Sequence, residues 1–444
     1  MPTREFKYLP IISADQKRPN ARWWIDTPLN AASCAVHNDL LEIKGWVLSS
    51  QNTSILIRTS LKTYEFQLTE ERPDVLTRLL TAETIGNFSS KCGFDIKIQF
   101  EEHLDFGLKQ DGCEYWIQVI AAVARPKVLI GTDNWLFLDN DTNRSVDQFR
   151  GKFTLSTETI LRWRDYYNWI RKKASDADLT WQFFVAPAKE ELFPDFYPFN
   201  RGKTTPIDQF LHEFKLMDNI VYPLTQLHEA RELSYYRTDT HWSDYGAYLG
   251  AIDILKGFKL GSHSDRLINS FKAVSSKGDL GSKLFPEQTS TSLLLLSNAP
   301  TSAIKIFDNG ISNIGRIWIY ENIKSSTEYT LLIFGDSFSV NLIAQLACVF
   351  RRIVYAHTAA TFDQSIVDQE HPDFLLLQTN QRFLARPPEA NQSIWDTIHD
   401  KLLGFTPNDL ILVTNHMNKQ QDQSSIFYTK KMLEQLYNQP HHHP

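Results

Sequence analysis

The sequence Leu331-Leu332-Ile333-Phe334-Gly335-Asp336-Ser337-Phe338-Ser339 joins four apolar residues directly to a Gly-Asp-Ser turn. Apolar residues at helical spacing follow over 340–350, so the pattern predicts a buried strand, a tight turn and a helix. Ligands of open α/β sheets bind at such carboxyl ends of strands, and the N–H groups of the following helix favour a developing oxyanion. Ser337 is therefore a candidate nucleophile, and its hydroxyl needs a base nearby in space.

A candidate base lies upstream, in Tyr235-Tyr236-Arg237-Thr238-Asp239-Thr240-His241-Trp242-Ser243. Asp239 and His241 stand two positions apart, so in an extended segment their side chains point to the same side. The carboxylate would then fix the tautomer of the ring and stabilise the imidazolium that forms when His241 accepts a proton. Ser243 is expected to cap a helix over 244–256. Each motif alone is more often structural than catalytic, and only their combination favours catalysis.

Together, Asp-Thr-His-Trp at 239–242 and Gly-Asp-Ser-Phe at 335–338 resemble motifs of the SGNH hydrolase-like domain of the alginate O-acetylation proteins AlgJ and AlgX. Shorter matches follow in the same order, and the resemblance covers roughly 131–386. It implies that Ser337 is the nucleophile, His241 the base and Asp239 its partner. Because the Asp-His pair precedes the serine, the order is that of the permuted branch of this family.

Five further residues are candidates for substrate binding. They flank the Asp-x-His pair or follow predicted strands: Lys189, Tyr236, Trp242, Asn380 and Arg382. Lys189 comes just after a predicted buried strand at 180–186, and a surface or capping lysine is the alternative interpretation. Gln378 is also expected to line the site. The chain departs from the family pattern at Gln381, where Glu is common, and at Asn134, which replaces a usual Gly.

The pattern of apolar residues divides the chain into four parts. They are a polar arm at 1–27, a β-sandwich domain at 28–126, an α/β domain at 127–405, which the resemblance implies to be SGNH hydrolase-like, and a C-terminal extension at 406–444. Short, turn-bounded strands predict the sandwich. Strands that alternate with helices predict a three-layer α/β/α domain with a parallel sheet. The extension is expected to hold an apolar strand at 410–413 and an amphipathic helix near 427–436.

Two segments outside the motifs have alternative interpretations. Short strands are predicted at 293–296, 304–307 and 316–320. They form either one wall of an acceptor groove or an insert without a functional role. Glu71-Arg72-Pro73-Asp74-Val75, followed by Cys92-Gly93-Phe94, resembles small β-domains attached to bacterial glycosyltransferases of surface polysaccharide synthesis. That resemblance implies a glycosyltransferase as a partner, and a structural, docking or carbohydrate-binding domain are the alternatives.

Composition limits the partners and the compartment. The chain has 444 residues and a net charge of −6, which argues against a nucleic-acid-binding surface. The four cysteines show no metal-binding spacing and fit a reducing compartment, and His441-His442-His443 are expected to be a frayed tail, so no metal site is predicted. No apolar signal region and no apolar run of the ~20 residues of a membrane helix is present. The chain is therefore predicted to be cytoplasmic, with the periplasm as the alternative if an export signal has been lost.

The function predicted from these residues and this resemblance is that of an O-acyltransferase, specifically an O-acetyltransferase. It would modify a bacterial surface polysaccharide or its lipid-linked precursor through an acyl-serine. No bound cofactor is expected, and acetyl-CoA or another acetyl donor would be the co-substrate. A carbohydrate esterase with the same triad is one alternative, and a non-catalytic glycan-binding or assembly protein is another.

Overall fold

In the computed structural model, the chain divides into two compact units, one at 1–126 and one at 127–444. The structure describes residues 3–11, 19–29, 32–36, 40–81, 84–101, 103–123, 128–284, 287–296, 302–405, 407–420 and 422–437. The predicted fold class is confirmed, because a strand-rich N-terminal region precedes a mixed α/β domain. The three histidines at 441–443 lie outside the described residues.

Two antiparallel sheets form the N-terminal unit. Its elements are β1 (Thr3–Pro10), β2 (Arg22–Thr27), β3 (Ala32–Ala35), β4 (Leu40–Leu48), β5 (Thr53–Arg58), β6 (Thr63–Gln67), β7 (Glu70–Glu71), α1 (Pro73–Leu79), β8 (Lys91–Gln99), β9 (His103–Gln110) and β10 (Cys113–Val123). One sheet has the order β3-β1-β10-β9-β5-β6 and the other the order β2-β4-β8-β7. Alternate residues of both sheets, such as Ile43 in β4 and Phe106 in β9, share one buried cluster. Because alternate residues of these strands are buried in this cluster, the core lies between the two sheets, as in a sandwich.

Two strands correct the prediction of a polar arm at 1–27. β1 pairs with β10, and β2 pairs with β4, so both segments belong to the sheets. Phe6 is fully buried and Ile25 is 3% exposed, which shows that both strands contribute to the core. In both strands the pattern of apolar and polar residues extends over so few positions that it is a weak signal. The prolines and charged residues around the strands make it harder to recognise.

A seven-stranded sheet forms the centre of the second unit, in the order β14-β13-β21-β19-β20-β18-β17. The strands of this unit are β11 (Val128–Ile130), β12 (Leu136–Leu138), β13 (Thr180–Ala186), β14 (Ile220–Val221), β15 (Phe271–Ser276), β16 (Ser290–Leu295), β17 (Ile304–Asp308), β18 (Ile317–Glu321), β19 (Thr330–Gly335), β20 (Arg352–His357) and β21 (Phe374–Asn380). The first five strands in the sheet order are parallel, whereas β18 runs antiparallel to both of its neighbours. β15 and β16 form a separate hairpin.

Helices cover both faces of this sheet. They are α2 (Ser145–Phe149), α3 (Thr157–Asp176), α4 (Lys189–Leu192), α5 (Pro206–Glu213), α6 (Leu224–Ala230), α7 (Asp244–Gly257), α8 (Gly278–Gly281), α9 (Ser339–Leu346), α10 (Gln364–Glu370), α11 (Ile394–Leu402), α12 (Pro407–Met417) and α13 (Ile426–Tyr437). In β13, Phe183 belongs to the core cluster that contains α3, and Phe184 to the cluster that contains α7. Because adjacent residues of a strand point to opposite faces, the sheet separates two cores and the unit has three layers.

The apolar strand predicted at 410–413 is wrong, because this segment is part of α12. Leu410, Val413 and Met417 are buried in the same core cluster as Met432 of α13. Their spacing of three and four residues is that of one helix face. The run Leu-Ile-Leu-Val resembles a strand only when it is considered without its neighbours. The amphipathic helix predicted near 427–436 is confirmed as α13.

Among the helices in the described part of the chain, none has both the length and the apolar character that crossing a bilayer requires.

Candidate active site

The nucleophile turn connects β19 to α9. Gly335 ends the strand, and a Cβ there would lie 2.0 Å from the Oγ of Ser339, so only glycine fits. The carboxylate of Asp336 is buried and accepts hydrogen bonds from the N–H groups of Phe338, at 2.9 Å, and Asn380, at 2.6 Å. Burial, the largest effect, raises the pKa of Asp336 above its ordinary value. This carboxylate ties the turn to β21 and so holds Ser337 at the carboxyl end of the sheet.

The structure brings Asp239, His241 and Ser337 together. The Nε2 of His241 lies 2.7 Å from the Oγ of Ser337, and its Nδ1 lies 2.6 Å from the Oδ1 of Asp239. The same carboxylate oxygen accepts the backbone N–H of His241 at 2.9 Å. With Nδ1 donating to the carboxylate, Nε2 is free of hydrogen and can accept the serine proton.

The charges of the pair favour proton transfer to the ring. Burial alone would raise the pKa of Asp239, but the hydrogen bonds and the charge of His241 hold the pKa well below its usual range. Burial lowers the pKa of His241, but the hydrogen bond and the charge of Asp239 outweigh this effect and raise the pKa above its ordinary value. An ionised carboxylate therefore stabilises the imidazolium.

A second carboxylate, Asp279, touches this pair and is missing from the sequence-based candidates. Its backbone N–H donates to the Oδ2 of Asp239 at 2.8 Å, and its own carboxylate accepts from the N–H and the hydroxyl of Thr240 at 2.7 and 2.9 Å. Burial and the charge of Asp239 raise the pKa of Asp279. Gly278 has a φ of +63°, and a Cβ there would lie 2.4 Å from the carbonyl oxygen of Thr238. The Gly-Asp pair at the start of α8 is the only local signal.

Ligand-type atoms of Asp239, His241 and Asp279 all lie within 4.8 Å of one another, close enough for a cation. The ring nitrogens of His241, however, already contact Asp239 and Ser337. These hydrogen bonds fit a serine triad and do not indicate a metal site.

Lys189 is buried and lines a small cavity, so the alternative interpretation as a surface or capping lysine is wrong, and its role in substrate binding stays a prediction. It is 3% exposed, and its Nζ donates to the carbonyl oxygens of Leu136, Arg237 and Asp239 at 2.6, 2.9 and 2.9 Å. Burial lowers its pKa to about 7. The side chain therefore fixes the backbone that carries Asp239.

The two aromatic candidates differ in exposure. Trp242 is fully buried, and its Nε1 donates to the carbonyl oxygen of Phe338 at 3.1 Å. Because Phe338 also packs on the ring of His241, with centroids 4.9 Å apart, Trp242 supports the triad from the core. Tyr236 is half-buried, and its backbone N–H donates to the carbonyl oxygen of His241 at 3.3 Å. Burial raises its pKa.

The two candidates after β21 lie beside the triad. Asn380 is 1% exposed, and its amide donates to the carbonyl oxygens of Ala186 and Pro187, both at 3.3 Å. The Nε of Arg382 lies 3.6 Å from the Oδ2 of Asp141. Asn380 and Arg382 border a small cavity together with Thr240, which precedes His241. Of the five predicted substrate-binding residues, Arg382 combines partial exposure with a place at this cavity.

Two glutamines and one asparagine noted in the sequence have structural contacts. The Oε1 of Gln378 accepts from the N–H of Asp336 at 2.9 Å, so this residue supports the nucleophile turn. The Oε1 of Gln381 accepts from Ala188 and from the hydroxyl of Tyr222. Asn134 has a φ of +59°, a left-handed conformation that glycine adopts freely and asparagine tolerates.

A second histidine near the triad is also missing from the sequence-based candidates. His357 ends β20, where it is the register partner of Gly335, and its N–H donates to the carbonyl oxygen of Arg316 at 2.8 Å. It is 6% exposed, and its Nδ1 has no hydrogen-bond partner among the described residues. Burial lowers its pKa to about 4, so the ring is neutral at neutral pH.

A pocket of about 520 Å³ lies next to the segment that carries the Asp-His pair. Trp135 and Arg237 line it from one side, and Ser290 and Thr291 of β16 line it from another. The insert ahead of the nucleophile therefore forms one wall of a pocket, and through Asp279 it also reaches the triad.

Comparison with known proteins agrees with the motifs. Residues 128–280, which include Asp239 and His241, match the family model described as SGNH hydrolase-like domain, acetyltransferase AlgX. The probable alginate O-acetylase AlgJ of Pseudomonas fluorescens is 26% identical over 175 residues, which cover 35% of this chain and 41% of that protein. The AlgJ protein of Azotobacter vinelandii is 24% identical over 172 residues, with the same coverage of 35% and 41%. This chain thus spans about two fifths of the length of these relatives.

Among solved structures, the O-acetyltransferase domain of Pseudomonas putida AlgJ is similar at 16% identity, over 66% of this chain and 100% of that one, with a TM-score of 0.36. Bacillus cereus PatB1 is similar at 14% identity, over 58% and 96%, with a TM-score of 0.41. The sequence matches confirm the predicted resemblance to the AlgX and AlgJ family.

Proposed function

We propose that this chain, whose residues 128–280 match the SGNH hydrolase-like domain of acetyltransferase AlgX, transfers an acetyl group to a hydroxyl of a polysaccharide or its lipid-linked precursor. The observation that carries the proposal is the continuous chain of hydrogen bonds from Asp239 through His241 to Ser337. The relatives named as alginate O-acetylases support a polysaccharide as the acceptor.

In the first half of the reaction, the Nε2 of His241 removes the proton of Ser337 while the serine Oγ attacks the carbonyl carbon of the acetyl donor. The N–H of Ser337 donates to no acceptor in the described part of the chain, so it can stabilise the oxyanion. His241 then gives its proton to the leaving group as the bond to that group breaks. Acetyl-Ser337 and the free leaving group result.

In the second half, a sugar hydroxyl takes the place of the leaving group. His241 removes the proton of this hydroxyl as its oxygen attacks the acetyl carbon of acetyl-Ser337. The proton returns to the serine Oγ when the ester bond breaks. The acetylated sugar leaves, and Ser337 and His241 regain their starting states.

Acetyl-CoA is the donor that we propose for a cytoplasmic reaction, with a thiol as the leaving group. If the reaction takes place in the periplasm, another acetyl donor replaces it. A glycosyltransferase that delivers the glycan is the partner proposed for the N-terminal unit, on the basis of its short sequence resemblance.

A carbohydrate esterase is the second candidate, because the side chain of His241 is 24% exposed and water can reach it. In that case water replaces the sugar hydroxyl in the second half of the reaction. Comparing donor turnover with and without a candidate glycan separates the two functions, because only a transferase turns over faster with the acceptor.

The direct test is intact-mass detection of an acetyl adduct after mixing with acetyl-CoA or with an activated acetyl ester. We expect the adduct in the wild type and its absence in Ser337→Ala. Ser312→Ala, an exposed serine of the same unit, is the matched control and should retain the adduct. If neither donor acetylates the wild type, and a fluorophosphonate probe does not label it, the proposed enzyme activity is wrong.

A further inference from the structure

A second pocket lies within the N-terminal unit and shares no residue with the candidate active site. Its volume is about 210 Å³, enough for one small ring. Trp24 and Asp26 of β2 and Trp46 of β4 line one side. Arg72 and Arg78, before and within α1, line the other.

The two tryptophans face away from the sandwich core. Trp24 and Trp46 are register partners on adjacent antiparallel strands, so their side chains lie on the same face of the sheet. Their chain neighbours Ile25 and Val47 belong to the buried core, which places both indoles on the outer face. Trp46 packs against α1, whereas Trp24 is 57% exposed. Trp24 therefore presents an exposed apolar ring beside the polar residues of the pocket.

The polar groups of the pocket are held in place. The guanidinium of Arg72 donates to Asp26 at 2.7 Å and to both oxygens of Asp74 at 2.8 and 2.9 Å. The hydrogen bond from Arg72 is the main cause that lowers the pKa of Asp74. One oxygen of Asp26 accepts from Arg72, and the other has no partner among the described residues. Such charge-assisted pairs orient acceptors and donors without free rotation.

The charges of the pocket balance. Asp26 and Asp74 carry two negative charges, and Arg72 and Arg78 carry two positive ones. Arg78 is exposed and makes no ion pair with any described residue. A pocket with fixed donors and acceptors but no net charge favours a neutral ligand rich in hydroxyl groups.

From these features we infer that the pocket binds one pyranose ring of an oligosaccharide. The apolar C–H face of the sugar packs on Trp24, and its hydroxyl edge meets Asp26 and the two arginines. A ring of that kind presents both an apolar face and directed hydroxyls, which matches an aromatic surface beside fixed polar groups. The inference rests on the proposed function only in taking the ligand from the same class as the acceptor.

The test measures glycan binding to the full chain in the Ser337→Ala form, so that no turnover interferes. Cellohexaose, mannohexaose and chitohexaose, which are neutral, are titrated by calorimetry. We expect at least one of them to bind, and Trp24→Ala to weaken that binding by at least about tenfold. Arg78→Ala should weaken it less. Leu61→Ala, 88% exposed in the same unit and outside the pocket, is the matched control and should leave the affinity within about twofold.

Three results would overturn the inference: no binding of any of the three neutral hexasaccharides, unchanged affinity in Trp24→Ala, or an equal loss in Leu61→Ala. Thermal unfolding of each variant shows that the folded state is retained. Acetylation of Ser337, measured on the Trp24→Ala variant with the serine intact, should match the wild type. If the wild type is neither acetylated by the two donors nor labelled by a fluorophosphonate probe, the proposed activity is refuted and the sugar pocket is unaffected.

Discussion

Asp279→Asn tests whether the second carboxylate sets the basicity of the candidate base. Burial and the charge of Asp239 raise the pKa of Asp279, whereas the charge of His241 and the hydrogen bond from the N–H of Thr240 lower it, so the prediction applies to the ionised form of this carboxyl. The Asp279 and His241 atoms lie within 4.8 Å of each other. Two unit charges at that distance interact by about 1 kcal/mol in water and about 3.5 kcal/mol at an effective dielectric constant of about 20. Asparagine keeps the size and one acceptor but removes this charge.

Removing the charge destabilises the imidazolium, so the pKa of His241 falls. Because the base is active only when neutral, the acid limb of the profile of kcat/KM against pH moves to lower pH. Hydrolysis of an activated acetyl ester measures this limb for the wild type and the variant. Glu328→Gln, whose side chain is 87% exposed, is the control and should leave the limb in place. An unshifted limb in Asp279→Asn, with an unchanged Tm, would refute the reasoning.

Three further predictions follow from the same geometry. Ser337→Ala and His241→Ala should each nearly abolish turnover, with a decrease in rate on the order of 10²–10⁴ or more. Asp239→Ala should decrease the rate less, because this residue orients the base. An equal decrease in all three variants would contradict this order. Lys189→Met should lower both Tm and kcat, because one buried and two partly buried carbonyl oxygens lose their donor, at a cost of about 1–3 kcal/mol for the buried one. An unchanged Tm in a thermal melt would count against this role. The pKa of His357 is about 4 in the folded state against an ordinary 6.5, so the unfolded chain binds more protons in this range. The contribution of His357 to the free energy of unfolding is therefore complete above about pH 6.5 and falls by roughly 3 kcal/mol as the pH drops to 4. Urea unfolding of the wild type and of His357→Gln at both pH values should show this difference. Equal losses of stability in the two proteins would exclude it.

The triad was predictable because its signals are local. A run of apolar residues before Gly335, and two polar residues spaced by two at Asp239 and His241, each describe a short piece of backbone and the chemistry it carries. The approach of the two pieces, 96 positions apart, is a tertiary event, and only the known pattern of a family links them in the sequence.

Other parts of the site have no such local signal. Asp279 reaches Asp239 because a short helix in the connection between β15 and β16 packs its backbone on the segment that carries Asp239, and a lone Gly-Asp does not specify that packing. Lys189 follows a predicted strand at the expected place, but its burial depends on carbonyl groups contributed by two distant segments. The sequence around Leu410 predicts a strand, but the segment is a helix. A short run of apolar residues fits a strand or a helix equally well until its tertiary contacts are known.

The carboxylate of Asp336 has a consequence for how such a site can change over time. It anchors Ser337 to the central strands, whereas Ser290 and Thr291 of β16 form one wall of the neighbouring pocket. Under the proposed function, substitutions of these two residues can alter which sugar is accepted while Ser337 stays in place. Under the proposed function, new acceptors would therefore become accessible by changing Ser290 and Thr291, whereas α8 between β15 and β16 has to be preserved because its Asp279 contacts Asp239.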